Sequence, residues 1–293
     1  MPVTPVISGI GSPQDLQGAL LDAQYIADAG LATTAYLALA LGKPLLLEGP
    51  PGVGKTEAAK AVASVLGKKV IRLQCFEGID ASSAIYDWNY PRQILAIRQM
   101  EGQSIDLYSD KFLMQRPLLE VLRDPVNSLL LIDEIDRSDH EFEAYLLEFL
   151  SDFTISIPEL GTERAIQAPI VILTSNRVRD LHEALRRRCV YHWLNYPDAS
   201  LEAQIVMIRA SGVAEATARA IVDSVGRLRQ EPLAKPPGVS ESVEWAEAAT
   251  LLNKQGLDWP QSFVQSLGVA IKDQNDLEYL AGRFDAVLPG AMA

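Results

Sequence analysis

The sequence predicts an α/β fold: a parallel sheet sandwiched by helices over residues 1–196 and a smaller all-helical domain over residues 197–293. Three observations predict it. An apolar run from Pro44 to Leu47 leads through a glycine-rich bend into an alanine-rich segment from Thr56 to Leu66, so strand, loop and helix follow in order. Two further apolar runs, Ser128 to Ile132 and Ile170 to Leu173, end in polar residues, as expected of strands buried on both faces with a site beyond their carboxyl ends. After Tyr196-Pro197-Asp198 the strand signals stop, and amphipathic helical segments follow at roughly 198–211, 213–229, 240–254 and 258–272.

The chain has 293 residues, enough for a large and a small core, and a formal charge of −12. Nucleic acid is therefore not expected as the partner, because phosphate backbones are bound by dense Lys/Arg surfaces and the only basic run is Arg186-Arg187-Arg188. The start, MPVTPVISGIGSPQ, lacks a basic region followed by an apolar core, and the apolar run from Leu31 to Leu41 is shorter than the roughly 20 residues of a membrane span. A cytoplasmic chain without a membrane span is expected, with Cys75 and Cys189 as buried free thiols. His192 follows Cys189 by three residues, but CVYHWLNY reads as a strand, where that odd spacing places the two side chains on opposite faces and argues against a shared metal.

Each element then adds chemistry. Gly49-Pro50-Pro51-Gly52-Val53-Gly54-Lys55-Thr56 matches G-x-x-x-x-G-K-[ST] in full. Glycines let successive backbone N–H groups turn inward around a phosphate, and the following helix adds positive partial charge at its N-terminus. Lys55 is the expected partner of the β- and γ-phosphates of a nucleoside triphosphate, Thr56 a ligand of Mg²⁺, and Glu57 the last residue of the nucleotide-binding segment. The strand from Ser128 ends in Asp133, expected at the Mg²⁺, and Glu134, expected to polarise the attacking water. Ser138-x-x-Glu141 reads as a capping box opening a helix whose Phe142, Leu146, Phe149 and Leu150 form one packing stripe. Asn176, just past the third strand, is placed to hydrogen-bond the water or the γ-phosphate.

Phosphate loop, strand ending in Asp-Glu, strand ending in Asn, and an arginine after a short helix together resemble an AAA+ ATPase. "LQCFEGIDASSAIYDWNYPRQ" (73–93), "IDEIDRSD" (132–139), "ALRRRC" (184–189) and "YPDASLE" (196–202) resemble the MoxR group and, within it, the CoxD-like branch. The resemblance runs from residue 16 to about 250, and its specific part is 73–93. It implies a five-stranded αβα core with a helical lid, and a homo-oligomeric ring, most often a hexamer. Each nucleotide site is then completed by a neighbour's arginine finger, which Arg188 matches best and Arg187 next. Many lids of the family carry an arginine at the start of their third helix; here Gly238-Val239-Ser240-Glu241-Ser242 has none, and Lys235 is the nearby cation that could substitute for it.

Residues 95–124 resemble the family's helix-2 insertion, and residues 154–168 read as a hairpin around Pro158-Glu159-Leu160-Gly161. Phe76, Tyr86, Trp88 and Tyr90 either grip a client or pack. The resemblance further implies a protein-remodelling chaperone that matures the metal–sulfur site of a molybdenum hydroxylase such as carbon monoxide dehydrogenase, with a von Willebrand factor type A domain protein as adaptor. The rivals are a rubisco-activase-like or other MoxR-type remodeller, a nucleic-acid motor or clamp loader, and a P-loop kinase.

Overall fold

Leu45–Glu48 forms strand β1, buried along its whole length and paired with a parallel strand on either side, as an inner strand of a sheet covered on both faces is. The structure, a computed structural model, describes residues 9–99 and 105–287. The start read for an export signal (1–8), part of the 95–124 insertion (100–104) and residues 288–293 lie outside the described residues. The chain folds as two compact units. The first holds most of the chain up to Trp193, and the second holds the chain from Leu194 together with Gln24–Ile26 and the loop segment Pro50–Lys55.

In the first unit, helices α1 (Pro13–Asp22) and α2 (Ala29–Leu41) precede β1, and α3 (Lys55–Val65) follows the glycine-rich loop. Then come β2 (Lys69–Gln74), α4 (Ala81–Ala84), β3 (Tyr86–Trp88), α5 (Tyr90–Arg98), β4 (Leu113–Gln115) and α6 (Pro117–Arg123). β5 (Ser128–Asp133), α7 (His140–Asp152), β6 (Thr154–Ile157), β7 (Gly161–Arg164), β8 (Ile170–Ser175), α8 (Glu183–Arg188) and β9 (Val190–Trp193) complete it. Five strands form one parallel sheet in the order β2-β5-β8-β1-β9. Its register pairs Gln74 with Asp133 and Glu48 with Ser175, so the chain's polar strand-ends gather along one edge. That edge, the carboxyl end of the strands, is where open α/β sheets bind ligands.

The αβα core is the one expected, and Phe142, Leu146, Phe149 and Leu150 are buried with Leu130, Ile132 and Leu173 in one cluster. Truncating such a ring, as in Phe142→Ala, typically costs about 3–5 kcal/mol. The excursions differ in detail from expectation. β6 and β7 form the expected antiparallel hairpin, but β3 pairs with β4 across the insertion, Trp88 opposite Leu113, a pairing too short to read in sequence. The helix start also shifts by one residue. Ser138 spends its hydroxyl on the Ile135 carbonyl at 2.8 Å, and Asp139 caps α7 by accepting from the Phe142 N–H at 2.8 Å. The Asp139 carboxylate at the N-cap reaches the third N–H of the helix directly. The last strand is shorter than CVYHWLNY: Cys189 caps the end of α8, and only Val190–Trp193 pairs with β1.

In the second unit, α9 (Ala199–Arg209), α10 (Glu215–Leu228), α11 (Val239–Lys254) and α12 (Trp259–Ala270) match the amphipathic segments. α13 (Gln274–Leu280) and α14 (Phe284–Val287), not anticipated, close a core around Trp245 and Phe263. No helix among the described residues is long and apolar enough to cross a membrane.

Candidate functional site

At the carboxyl end of β5, Asp133 is buried and fully engaged. It accepts hydrogen bonds from the Thr56 hydroxyl at 3.0 Å, the Arg72 Nε at 2.9 Å and the Thr174 hydroxyl. Three donor side chains, one of them the Arg72 guanidinium, compensate the buried charge, as a carboxylate in a protein interior requires. The paired Thr56 and Asp133 oxygens are hard donors at the root of α3 and the end of β5, a set that suits Mg²⁺.

Thr174 serves two residues at once, because its oxygen also accepts the Glu134 N–H at 2.9 Å. Glu134 turns the chain with φ +55°, and its side chain leaves the strand direction with 31% exposure. Its oxygens accept from Gln74 Nε2 at 3.0 Å and Asn176 Nδ2 at 3.3 Å, with Arg137 Nε at 3.0 Å. Asn176 is held from behind. Buried Asp136 accepts the backbone N–H of Asn176 at 3.2 Å and of Val178 at 2.8 Å, pinning the turn that follows β8. The same carboxylates reach Cys75: burial first, then Asp133, Asp136 and Glu134, push its thiol up to about 12.

Four expected residues thus converge: Thr56, Asp133, Glu134 and Asn176. Arg187 and Arg188 are turned elsewhere. Arg187 pairs with Glu183 on the exposed side of α8, and Arg188 Nε donates to Ser151 of α7 at 3.0 Å. Both are exposed, and neither is among the partners of Glu134 given above. Sequence reasoning missed Arg72, Gln74, Thr174 and Asp136. The first two carried a signal, since Arg72 and Gln74 alternate with buried Ile71 and Leu73 along β2 and so share one face.

The second unit contains the rest of the glycine-rich loop. Gly52 and Gly54 have φ of +74° and +93°, conformations that admit glycine readily, and Lys55 Nζ donates to the Pro50 carbonyl at 2.7 Å. The loop's outer side packs on the start of α11: the Val239 N–H donates to the Gly52 carbonyl at 2.9 Å, and a Cβ on Gly52 would stand 2.9 Å from Gly238 Cα. Tyr196 adds a hydroxyl hydrogen bond to the Pro51 carbonyl at 3.3 Å. Where the family pattern would put an arginine, Ser242 instead donates to buried Glu202 at 2.6 Å, and Glu202 holds Arg229 through both oxygens at 2.7 and 2.9 Å. Lys235 lies beside Asp273, 3.8 Å away. Of the aromatic residues considered for client contact, Trp88 is buried edge-on between Tyr86 and Tyr108, while Phe76 and Tyr90 are exposed.

Residues 45–194 match the ATPase family associated with various cellular activities (AAA), just over half of the chain. Fidgetin-like protein 1 of Homo sapiens is 31% identical over 171 residues, covering 56% of this chain and 21% of that protein. The uncharacterized protein YojN of Bacillus subtilis is 26% identical over 191 residues, covering 63% of this chain and 58% of its own length. The match thus spans only about a fifth of fidgetin-like protein 1 and somewhat over half of YojN. Among solved structures, a Thermotoga maritima RuvB mutant superposes with a TM-score of 0.50 at 18% identity, over 94% of this chain and 75% of that one, a likeness of fold.

Proposed function

The chain belongs to the ATPase family associated with various cellular activities, and from that premise we propose that it works as a ring-forming ATPase that remodels another protein. Family membership brings hydrolysis of ATP to ADP and phosphate with Mg²⁺, and rings that are generally hexameric. The observation that carries the residue roles is the linked set Thr56–Asp133–Thr174–Glu134–Asn176 at the ends of β5 and β8.

In this reading the loop Gly49–Glu57 encloses the triphosphate, and Lys55 supplies a cation to its β- and γ-oxygens. Thr56 and Asp133 would hold Mg²⁺, which would supply charge neutralisation for the transferring phosphoryl. Glu134 orients and polarises the attacking water, and Asn176 fixes the carboxylate that does so. Arg188, with Arg187 beside it, completes the neighbouring subunit's site from the outer side of α8, a contribution worth roughly 10³–10⁵ in rate where such fingers act.

The finer reading is that the chain is a MoxR-type remodeller of the CoxD-like branch, acting on a molybdenum hydroxylase with a von Willebrand factor type A adaptor. Its support is the resemblance of residues 73–93 together with the net charge of −12, which suits a protein client better than a polyanion. The test of the ATPase roles is Glu134→Gln, which keeps shape but not the carboxylate. The variant should bind ATP and retain it unhydrolysed, read by extracting the bound nucleotide; normal turnover would displace Glu134 from its role. The test of the client is the metal and labile-sulfur content of a molybdenum hydroxylase purified from cells lacking this ATPase. An incomplete centre is expected, and a fully loaded, active hydroxylase would remove the maturation claim.

A further inference from the structure

The triple arginine of α8 does not act as one patch. Successive helical residues step around the axis by about 100°, and the first of the three turns inward while the other two turn out. Arg186 Nη2 lies 3.2 Å from the Glu48 carboxylate, and its guanidinium sits over the Tyr191 ring at 5.4 Å. Glu48 is the last residue of β1, immediately before Gly49, and its side chain is only 1% exposed. The Ser175 hydroxyl donates to its other oxygen at 3.5 Å. The Gly49 N–H in turn donates to the Ser175 carbonyl at 3.3 Å.

We propose that Glu48 and Arg186 are a positioning pair that ties the root of the phosphate loop to α8, so that the arginines a subunit presents to its neighbour follow the state of its own loop. This rests on the ring reading given above. A carboxylate at the end of an otherwise apolar buried strand is a poor source of stability, since desolvation offsets most of the attraction to its partner. What such a pair does supply is a fixed geometry between the elements that carry its two halves. Here those elements are the strand that ends in the loop and the helix that carries Arg187 and Arg188. The helix is held at its other end as well, where buried Glu143 of α7 accepts the His182 N–H at 2.8 Å. α8 is thereby anchored at its start by α7 and in its last turn by β1.

The experiment uses the full-length protein with both halves replaced, Glu48→Leu with Arg186→Met, so that no buried charge is left alone, and Arg186→Lys as a milder second variant that keeps the charge but loses the fork. Melting temperature, affinity for ATP with Mg²⁺, and the ATP dependence of hydrolysis are measured on each. The double variant is expected to melt near the wild type and bind ATP within about twofold. It should hydrolyse roughly tenfold more slowly, within the usual range of inter-site coupling, and lose any cooperativity in ATP. Arg186→Lys should fall between. Mixed with Glu134→Gln subunits, whose arginines are presented normally, the double variant should regain activity at its own sites, as an Arg188→Ala control does; failure to regain it despite co-assembly would place the defect in the variant's own loop and overturn the proposal. Wild-type rate and cooperativity in either variant would overturn the proposal, as would loss of ATP binding, which would confine the pair to local support of the loop. Failure of the ring reading shows separately, as the absence of any co-assembly between wild-type and Glu134→Gln subunits.

Discussion

The carboxyl edge of the sheet and the excursion through β3, α5 and β4 distribute polarity in opposite ways. At the sheet edge the charges are inside: Glu48, Asp133 and Asp136 are buried, each beside named donors. On α5 the apolar groups are outside: Tyr90, Ile94, Leu95 and Ile97 are each more than half exposed. Burying a charge is costly unless every lone pair finds a donor, so the first region must be rigid and internally complete. Exposed apolar side chains make few such demands. The difference teaches where substitution is felt: a conservative change at the sheet edge breaks a network, and a drastic one on α5 breaks little within the chain.

The largest effect expected from that contrast is at Asp136. Asp136→Asn preserves size but replaces one acceptor oxygen with an NH₂ group that faces the N–H donors of Asn176 and Val178. An unsatisfied buried donor of this kind costs about 1–3 kcal/mol. With the turn loosened, Asn176 no longer holds Glu134 at 3.3 Å. Turnover should fall by about ten- to a hundredfold while ATP affinity stays within a few-fold, measured as kcat against a direct binding titration. Unchanged kcat would show that Asp136 supports the fold alone.

Much of this edge was legible in the sequence, and the reasons are physical. A strand buried on both faces reads as a continuous apolar run, so the residue that ends the run marks the sheet's edge; Glu134 and Asn176 were found that way. Arg72, Gln74 and Thr174 were not, because each lies within its strand and acquires its role only when β2 and β8 flank β5. The β3–β4 pairing joins strands of three residues each across a long excursion, too little periodicity to register. The off-by-one at Ser138 arose because Ser and Asp at 138 and 139 are both good N-caps, and the choice falls to whichever is not already bonded to the preceding 3-10 turn.

On α5 the contrast predicts tolerance. Ile94 and Leu95 are 51% and 57% exposed, so Ile94→Ser with Leu95→Ser should shift stability by no more than about 0.5 kcal/mol each, the usual size for surface sites. ATP hydrolysis should be unaffected within error. A drop of several degrees in melting temperature would mean that these residues are covered in the assembled protein, and that the outward apolar face is an interface in disguise.

The smallest effect concerns Cys75, which lies within the charged edge and joins it through its backbone N–H, donated to the Asp133 carbonyl at 2.8 Å. Burial chiefly, and then the carboxylates around it, push its thiol from 9.0 up to about 12, and burial does the same to Cys189. The thiolate is the reactive form, so at pH 8 neither residue should be alkylated by iodoacetamide in the folded protein, whereas both react after denaturation. The sign of the pH effect follows from the folded state favouring the neutral thiol. That contribution is intact below the unfolded value of 9.0 and is lost as pH rises from there towards 12. The melting temperature of the wild type should therefore fall more steeply over this window than that of a Cys75→Ala, Cys189→Ala protein. Equal slopes, or rapid labelling of Cys75 at pH 8, would show that the sheet edge opens to solvent and is less complete than its hydrogen bonds imply.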